Sequence, residues 1–261
     1  MASLIDRARE EPVPVIALTD EELAALDGGP DAPPVAPRPW LDLQDEASRE
    51  LVCQVALRGL AVRGIVVPTG AVADGGRGVI AMHQDLRAVL SMRHDALALV
   101  AARRQGTEET AHRVVFVHEG GAVLEEDVSP HGVHRLTVTC AATAAERLAT
   151  FVDPAGAAGE QRQEPTGPVS LAEIAAGDGL PSVDDVRYLT LVGRLTAPAF
   201  EGAAPPEALR LTVYALPDRV VVAEPAELDS GDAGLTLAAV GAAALRERLA
   251  ALLDVAPAAG G

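Results

Sequence analysis

Thr143-Ala144-Ala145-Glu146-Arg147-Leu148-Ala149 and Ala244-Leu245-Arg246-Glu247-Arg248-Leu249-Ala250 are two versions of one segment, with Glu-Arg-Leu-Ala shared. Ala144, Leu148, Phe151 and Val152 recur 101 positions later as Leu245, Leu249, Leu252 and Leu253, at the same spacing of four, three and one. That spacing puts each set on one face of a helix. Upstream, Leu97-Ala98-Leu99-Val100 answers Leu189-Thr190-Leu191-Val192. Residues 96–153 and 188–254 each read as strand, loop, strand, tight turn, strand, loop, strand, helix. Order, turn position and helix phase agree, which predicts an internal repeat. The expected fold is α+β with two pseudo-symmetric halves. Each half is an antiparallel β-meander closed by an amphipathic helix, with extra helices at the N-terminus.

The strands follow from local chemistry. Val114-Val115-Phe116-Val117 is apolar at successive positions, as in a strand covered on both faces. Gly120-Gly121 and Pro217-Asp218 supply the hairpin turns. In Arg210 to Ala215, Leu211, Val213 and Ala215 alternate with Arg210, Thr212 and Tyr214, so one face is buried. Residues 104–112 read as a charged loop between the first two strands of the first repeat.

Ahead of the repeats, residues 1–12 carry Asp6, Arg7, Arg9, Glu10 and Glu11 and little to bury, the pattern of a frayed terminus. Val13 to Leu18 is a short strand. Thr19 and Glu22 are spaced as a capping box that opens a helix ending at Asp27-Gly28-Gly29-Pro30. Five prolines in 30–39 make an extended connector. Residues 45–62 are helical, with Leu51, Val55, Leu57, Leu60 and Val62 expected on the buried face. Ile65-Val66-Val67 is a short strand and 81–93 a second helix. Ser170 and Glu173 form another capping box. The division expected is an N-terminal strand, helix and connector (1–40), a first half (41–153), a linker (154–168), a second half (169–254) and a disordered tail (255–261).

Composition excludes several chemistries. All 21 basic residues are arginine, and the chain has no lysine. A Walker A lysine, a pyridoxal Schiff base and a kinase strand lysine are therefore impossible. A formal charge of −17 opposes binding to nucleic acid or to anionic membranes, and suits a soluble protein that resists self-association. Cys53 and Cys140 are too few for a disulfide framework and read as two buried free thiols. The N-terminal stretch has no apolar signal core, and no apolar run approaches the ~18 residues of a membrane span, so a cytoplasmic protein is expected.

No catalytic, cofactor-binding or metal-binding set emerges. Gly76-Arg77-Gly78-Val79-Ile80-Ala81 has the dinucleotide spacing, but Pro68 and about ten loop residues separate it from the preceding strand. His131 and His134 have no third or fourth ligand in sequence reach. Glu125-Glu126-Asp127 reads as a solubilising strand end, since neighbouring strand residues face opposite ways. Residues 45–91 could form a winged-helix unit, which keeps a transcriptional regulator open. Over 40–104, however, eight arginines against seven carboxylates leave only +1. A structural scaffold is the third possibility.

Several segments, taken in order, resemble the EspG family, the chaperones of actinobacterial type VII (ESX) secretion. They are Val15-Ile16-Ala17-Leu18-Thr19 with Leu23-Ala24-Ala25-Leu26, Leu60-Ala61-Val62-Arg63-Gly64-Ile65-Val66, and Gly70-Ala71-Val72 with Leu86 and Leu90. Val169-Ser170-Leu171-Ala172-Glu173-Ile174 and the late hairpin Leu211 to Pro225 follow, the latter with Asp218 where a glycine is common. The resemblance spans about residues 13–254. It implies two pseudo-symmetric halves, no catalysis, no cofactor, and a helical secreted cargo of PE–PPE or WXG-like type. By the same resemblance, the loop at 104–112 (Arg104, Glu108, Glu109, His112) is the expected cargo contact. The protein would be a monomer or weak dimer.

Overall fold

The computed structural model describes residues 3–68, 80–160, 164–165, 168–175, 180–196, 210–227 and 233–254. It is an α+β protein, with seven α-helices and a large antiparallel sheet among the described residues. The chain divides into two compact units, Met1–Asp95 with Leu124–Thr139, and Ala96–Val123 with Cys140–Gly261. These units cut across the two sequence repeats, because the first repeat contributes strands to both. Residues 69–79, which include Gly70-Ala71-Val72 and most of the glycine-rich motif, lie outside the described residues.

In the first unit the N-terminus is helical, not frayed. Helix α1 (Leu4–Glu10) is opened by a capping box in which Ser3 and Asp6 satisfy each other's backbone amides, and it buries Leu4 and Ala8. Strand β1 (Val13–Thr19) leads into α2 (Asp20–Leu26), capped by Thr19 and Glu22 as expected. Helix α3 (Glu46–Val62) is followed by the two-stranded β2 (Val66–Pro68) and β3 (Ile80–Met82). Helix α4 (Gln84–His94) comes next.

The buried face of α3 differs from expectation. Cys53, Ala56 and Leu60 are buried, with Cys53 and Val52 packing on Ala24 of α2 and on Leu41. Leu51, Val55 and Val62 are 61%, 58% and 89% exposed. Both stripes have helical spacing, so periodicity alone could not choose between them.

In the second unit β4 (Ala98–Gln105) pairs with β5 (Thr110–Val117) and with β10 (Tyr188–Thr196). The sheet continues through β11 (Arg210–Ala215), β12 (Val220–Glu227) and β13 (Ala233–Val240). Two short strands, β8 (Glu164–Pro165) and β9 (Val169–Ser170), pair with β13. The leading strands of the two repeats are therefore neighbours, from Leu189 opposite Gln105 to Thr196 opposite Ala98. Strand β11 buries Leu211, Val213 and Ala215 as its alternation predicted.

Helix α5 (Ala141–Val152) and α7 (Ala242–Leu253) pack together in one core with these strands. They bury the residues that defined the repeat: Ala144, Leu148, Phe151 and Val152, and Leu245, Leu249, Leu252 and Leu253. A small helix, α6 (Leu171–Ala175), follows β9 and is capped by Ser170 and Glu173. In the first repeat, β6 (Ala122–Val128) and β7 (Val133–Cys140) complete the meander, and β7 pairs with β1. Cys53 is buried, whereas Cys140 is only half-buried beside Thr143.

Candidate functional site

The segment 104–112 is mostly strand. Arg104 belongs to β4 and His112 to β5, which leaves Gly106-Thr107-Glu108-Glu109 as the connection. The Gly106 amide donates to the Glu109 carbonyl at 2.9 Å, and a Cβ on Gly106 would sit 3.3 Å from the Tyr188 ring. Arg104 turns back onto the unit. Its guanidinium donates to the Phe151 carbonyl at 2.6 Å and lies 4.6 Å from the Phe151 ring and 5.3 Å from Tyr188. His112 is half-buried and stands opposite Arg103 in the ladder. Burial, then the nearby Arg103 charge, holds its imidazole below the ordinary range. Of the four predicted contact residues, Glu108 and Glu109 face solvent at the tip. Arg104 positions the strand end instead.

Beside this turn lies a cleft of about 620 Å³. Gln105, Gly106 and Thr107 form one wall. Ile174 of α6, Leu180, Pro181, Val186, Leu189 and Tyr214 supply an apolar lining, with Ser182 and Arg187 as further polar groups. Burial raises the Tyr214 hydroxyl above its ordinary value, so it stays protonated and able to donate a hydrogen bond. An apolar slot next to exposed carboxylates suits a segment with apolar anchors and basic neighbours. The lining comes from separate stretches of chain, and no spacing in the sequence links Ile174, Leu189 and Tyr214.

The first unit holds a feature that the sequence reading placed wrongly. Glu125 and Glu126 are fully buried, not a solubilising strand end. Glu126 accepts from Arg93 of α4 at 2.8 and 3.3 Å, and its other neighbour is Nδ1 of His134 at 2.5 Å. Nε2 of His134 is 2.7 Å from Asp20, whose second oxygen accepts the Trp40 and Leu41 amides at 2.8 and 2.9 Å. Arg93 also bridges to Asp27 at the end of α2, where His94 joins. Five charged groups from α2, α4, β6 and β7 thus form one chain.

Its titration reflects that pairing. Burial pushes the His134 imidazole down, but hydrogen bonds to Asp20 and Glu126 outweigh it and raise it above the ordinary 6.5. Burial opposes ionisation of Asp20 and Glu126 as well, yet their bonds to His134 and the Arg93 charge beside Glu126 leave both carboxyls lowered. Both ring nitrogens of His134 face a carboxylate, an arrangement that favours the protonated imidazole. His131, the other half of the possible metal pair, is exposed in the loop. Among the described residues no group of three or more His, Cys, Asp or Glu is arranged to hold a metal ion. Of the two arginines of α4, Arg93 is turned inward into this chain and Arg87 is exposed.

No protein-family model matches the chain, and no curated protein matches its sequence. Among the described residues no helix is long and apolar enough to cross a membrane.

Proposed function

We propose that this protein is a cytoplasmic, non-catalytic chaperone or adaptor that holds a helical segment of a partner, as EspG-like chaperones hold type VII secretion substrates. The observation that carries this reading is the apolar cleft beside Gly106–Glu109, since the loop named by the resemblance opens onto it. Two helical turns of a partner present apolar side chains at i and i+3 or i+4, about the reach of such a cleft. Glu108 and Glu109 meet basic residues at the rim. Arg104, tied to Phe151 and Tyr188, keeps the turn rigid, so little ordering entropy is lost on binding.

The test is co-expression with PE–PPE and WXG-like proteins of the same cell, followed by purification at low salt. Stoichiometric co-purification is expected. It should be lost in Val186→Glu and weakened in Glu108→Arg/Glu109→Arg, with the fold unchanged by circular dichroism. Failure to retain any helical-hairpin substrate overturns the reading.

A further inference from the structure

In the second unit one face of the sheet packs on α5 and α7, with Thr190 and Val192 of β10 buried on that side. Strand alternation turns Leu189, Leu191 and Leu195 to the opposite face, where Leu191 and Leu195 are 50% and 38% exposed. Gly193 interrupts this row, and its Cβ position has no atom within 4 Å. Directly opposite residues of an antiparallel pair share a face, so the ladder fixes what flanks the row. Arg103 of β4 stands opposite Leu191, and Arg210 of β11 stands opposite Gly193 on the other side. Leu189 lies between Gln105 and Tyr214, which line the cleft at Gly106–Glu109. The leucine row therefore continues that cleft along β10.

Charge decides the occupant. Strands β4, β10 and β11 contain no Asp or Glu. Arg103 and Arg210 are exposed, and neither side chain has a hydrogen bond or ion pair among the described residues. A chain of net charge −17 thus flanks its open leucine row, on these strands, with cations alone. We propose that this face binds an acidic amphipathic helix of a partner protein, laid along β10 with apolar side chains on Leu189, Leu191 and Leu195 and carboxylates on its two flanks against Arg103 and Arg210. Resting on the cleft as a helix-holding site, this surface adds the length and charge of the helix held. Leu189 to Leu195 covers about 20 Å of strand, the rise of about 13 helical residues. The gap over Gly193 admits one apolar side chain between Leu191 and Leu195. Glu108 and Glu109 lie at the turn, so the helix carries a basic residue at that end and acidic ones beyond it. A nucleic-acid strand is the poorer occupant, because its bases need aromatic rings to stack on and Tyr214 is the one aromatic bordering the row.

The full chain is panned against phage-displayed random peptides of about 16 residues, long enough to cover the row as a helix. Recovered peptides are synthesised and titrated by fluorescence anisotropy. They should carry apolar residues at i, i+3 or i+4 and i+7, with Asp or Glu beside them. Leu191→Glu should abolish binding. Arg103→Glu/Arg210→Glu should weaken it about tenfold or more at low salt, with the circular dichroism spectrum unchanged. The same double variant should bind a peptide whose acidic residues are changed to arginine. Recovery of no peptide, of basic peptides, or of peptides indifferent to Leu191→Glu overturns the proposal. Tighter binding of oligothymidylate than of every recovered peptide also overturns it. Peptides lost in Val186→Glu but indifferent to Arg103→Glu/Arg210→Glu remove this proposal and leave the cleft standing. Failure of co-purification with acidic peptides still bound removes the chaperone reading and leaves the face.

Discussion

At the residue scale, the buried chain Asp20–His134–Glu126–Arg93–Asp27 is the most consequential feature of the first unit. Removing one partner from a buried ionic group leaves an uncompensated charge, which typically costs about 3–5 kcal/mol. Arg93→Ala should lower unfolding free energy by that order in urea titrations, well above the cost of a surface change such as Arg87→Ala. Gly132 is part of the same construction. Its φ is +70°, its carbonyl accepts the Asp20 amide at 2.8 Å, and an added Cβ would lie 2.7 Å from the Asp20 carboxylate. Gly132→Ala should destabilise by roughly 1–3 kcal/mol through backbone strain and that collision, measured by thermal melting.

The cluster also sets a pH dependence. A raised His134 binds its proton more tightly in the folded state, so its contribution is complete below about 6.5 and is lost as pH rises through the folded value. The lowered Asp20 and Glu126 contribute fully above about 4.5, and that part is lost as pH falls through their folded values. Melting temperature should therefore plateau between these limits and fall on both sides. In His134→Gln the alkaline decline should flatten. An unchanged alkaline limb in that variant would remove His134 from the account.

At the element scale, helices α5 and α7 were legible because their burial pattern is local: four, three and one apolar steps can only be satisfied on one helix face. Leu148 and Leu249 occupy equivalent places in the repeat and both are fully buried. Each truncation to alanine should cost about 2–5 kcal/mol by chemical denaturation, and the two costs should agree more closely with each other than with Val152→Ala. Helix α3 was legible as a helix but not in its rotation. It has two apolar stripes, and the buried one is the stripe whose smaller residues, Cys53 and Ala56, lie inward with Leu60. The N-terminal helix α1 was missed because its sequence is charged. The Ser3–Asp6 cap and contacts of Leu4 and Ala8 compensate for a weak apolar face.

At the scale of the whole molecule, the repeats predicted two halves, and the compact units fall elsewhere. The first repeat sends β4 and β5 to the second unit while Leu124–Thr139, with most of β6 and β7, joins the first, where β7 pairs with β1. Hydrogen exchange should follow these units, not the repeats. In Arg93→Ala, amides of α2, α4 and β7 should lose protection before those of β10 to β13. Equal loss in both would mean that the cluster acts on the chain as one cooperative body.

The sequence by itself determined the fold class, the strand and helix order of both repeats, the capping boxes at Thr19 and Ser170, and the core faces of α5, α7 and β11. Those are properties of residues a few positions apart, where helix and strand periodicity act directly. Tertiary structure alone decided the rest. It brought Asp20, Arg93, Glu126 and His134 together, buried two carboxylates that read as surface, and assembled the cleft lining from α6, β10 and β11. It also left Leu51, Val55 and Val62 in solvent. The physical reason is common to all of these. A charge can be buried only if its partner arrives from elsewhere, and a helix with two apolar stripes is turned by what packs against it.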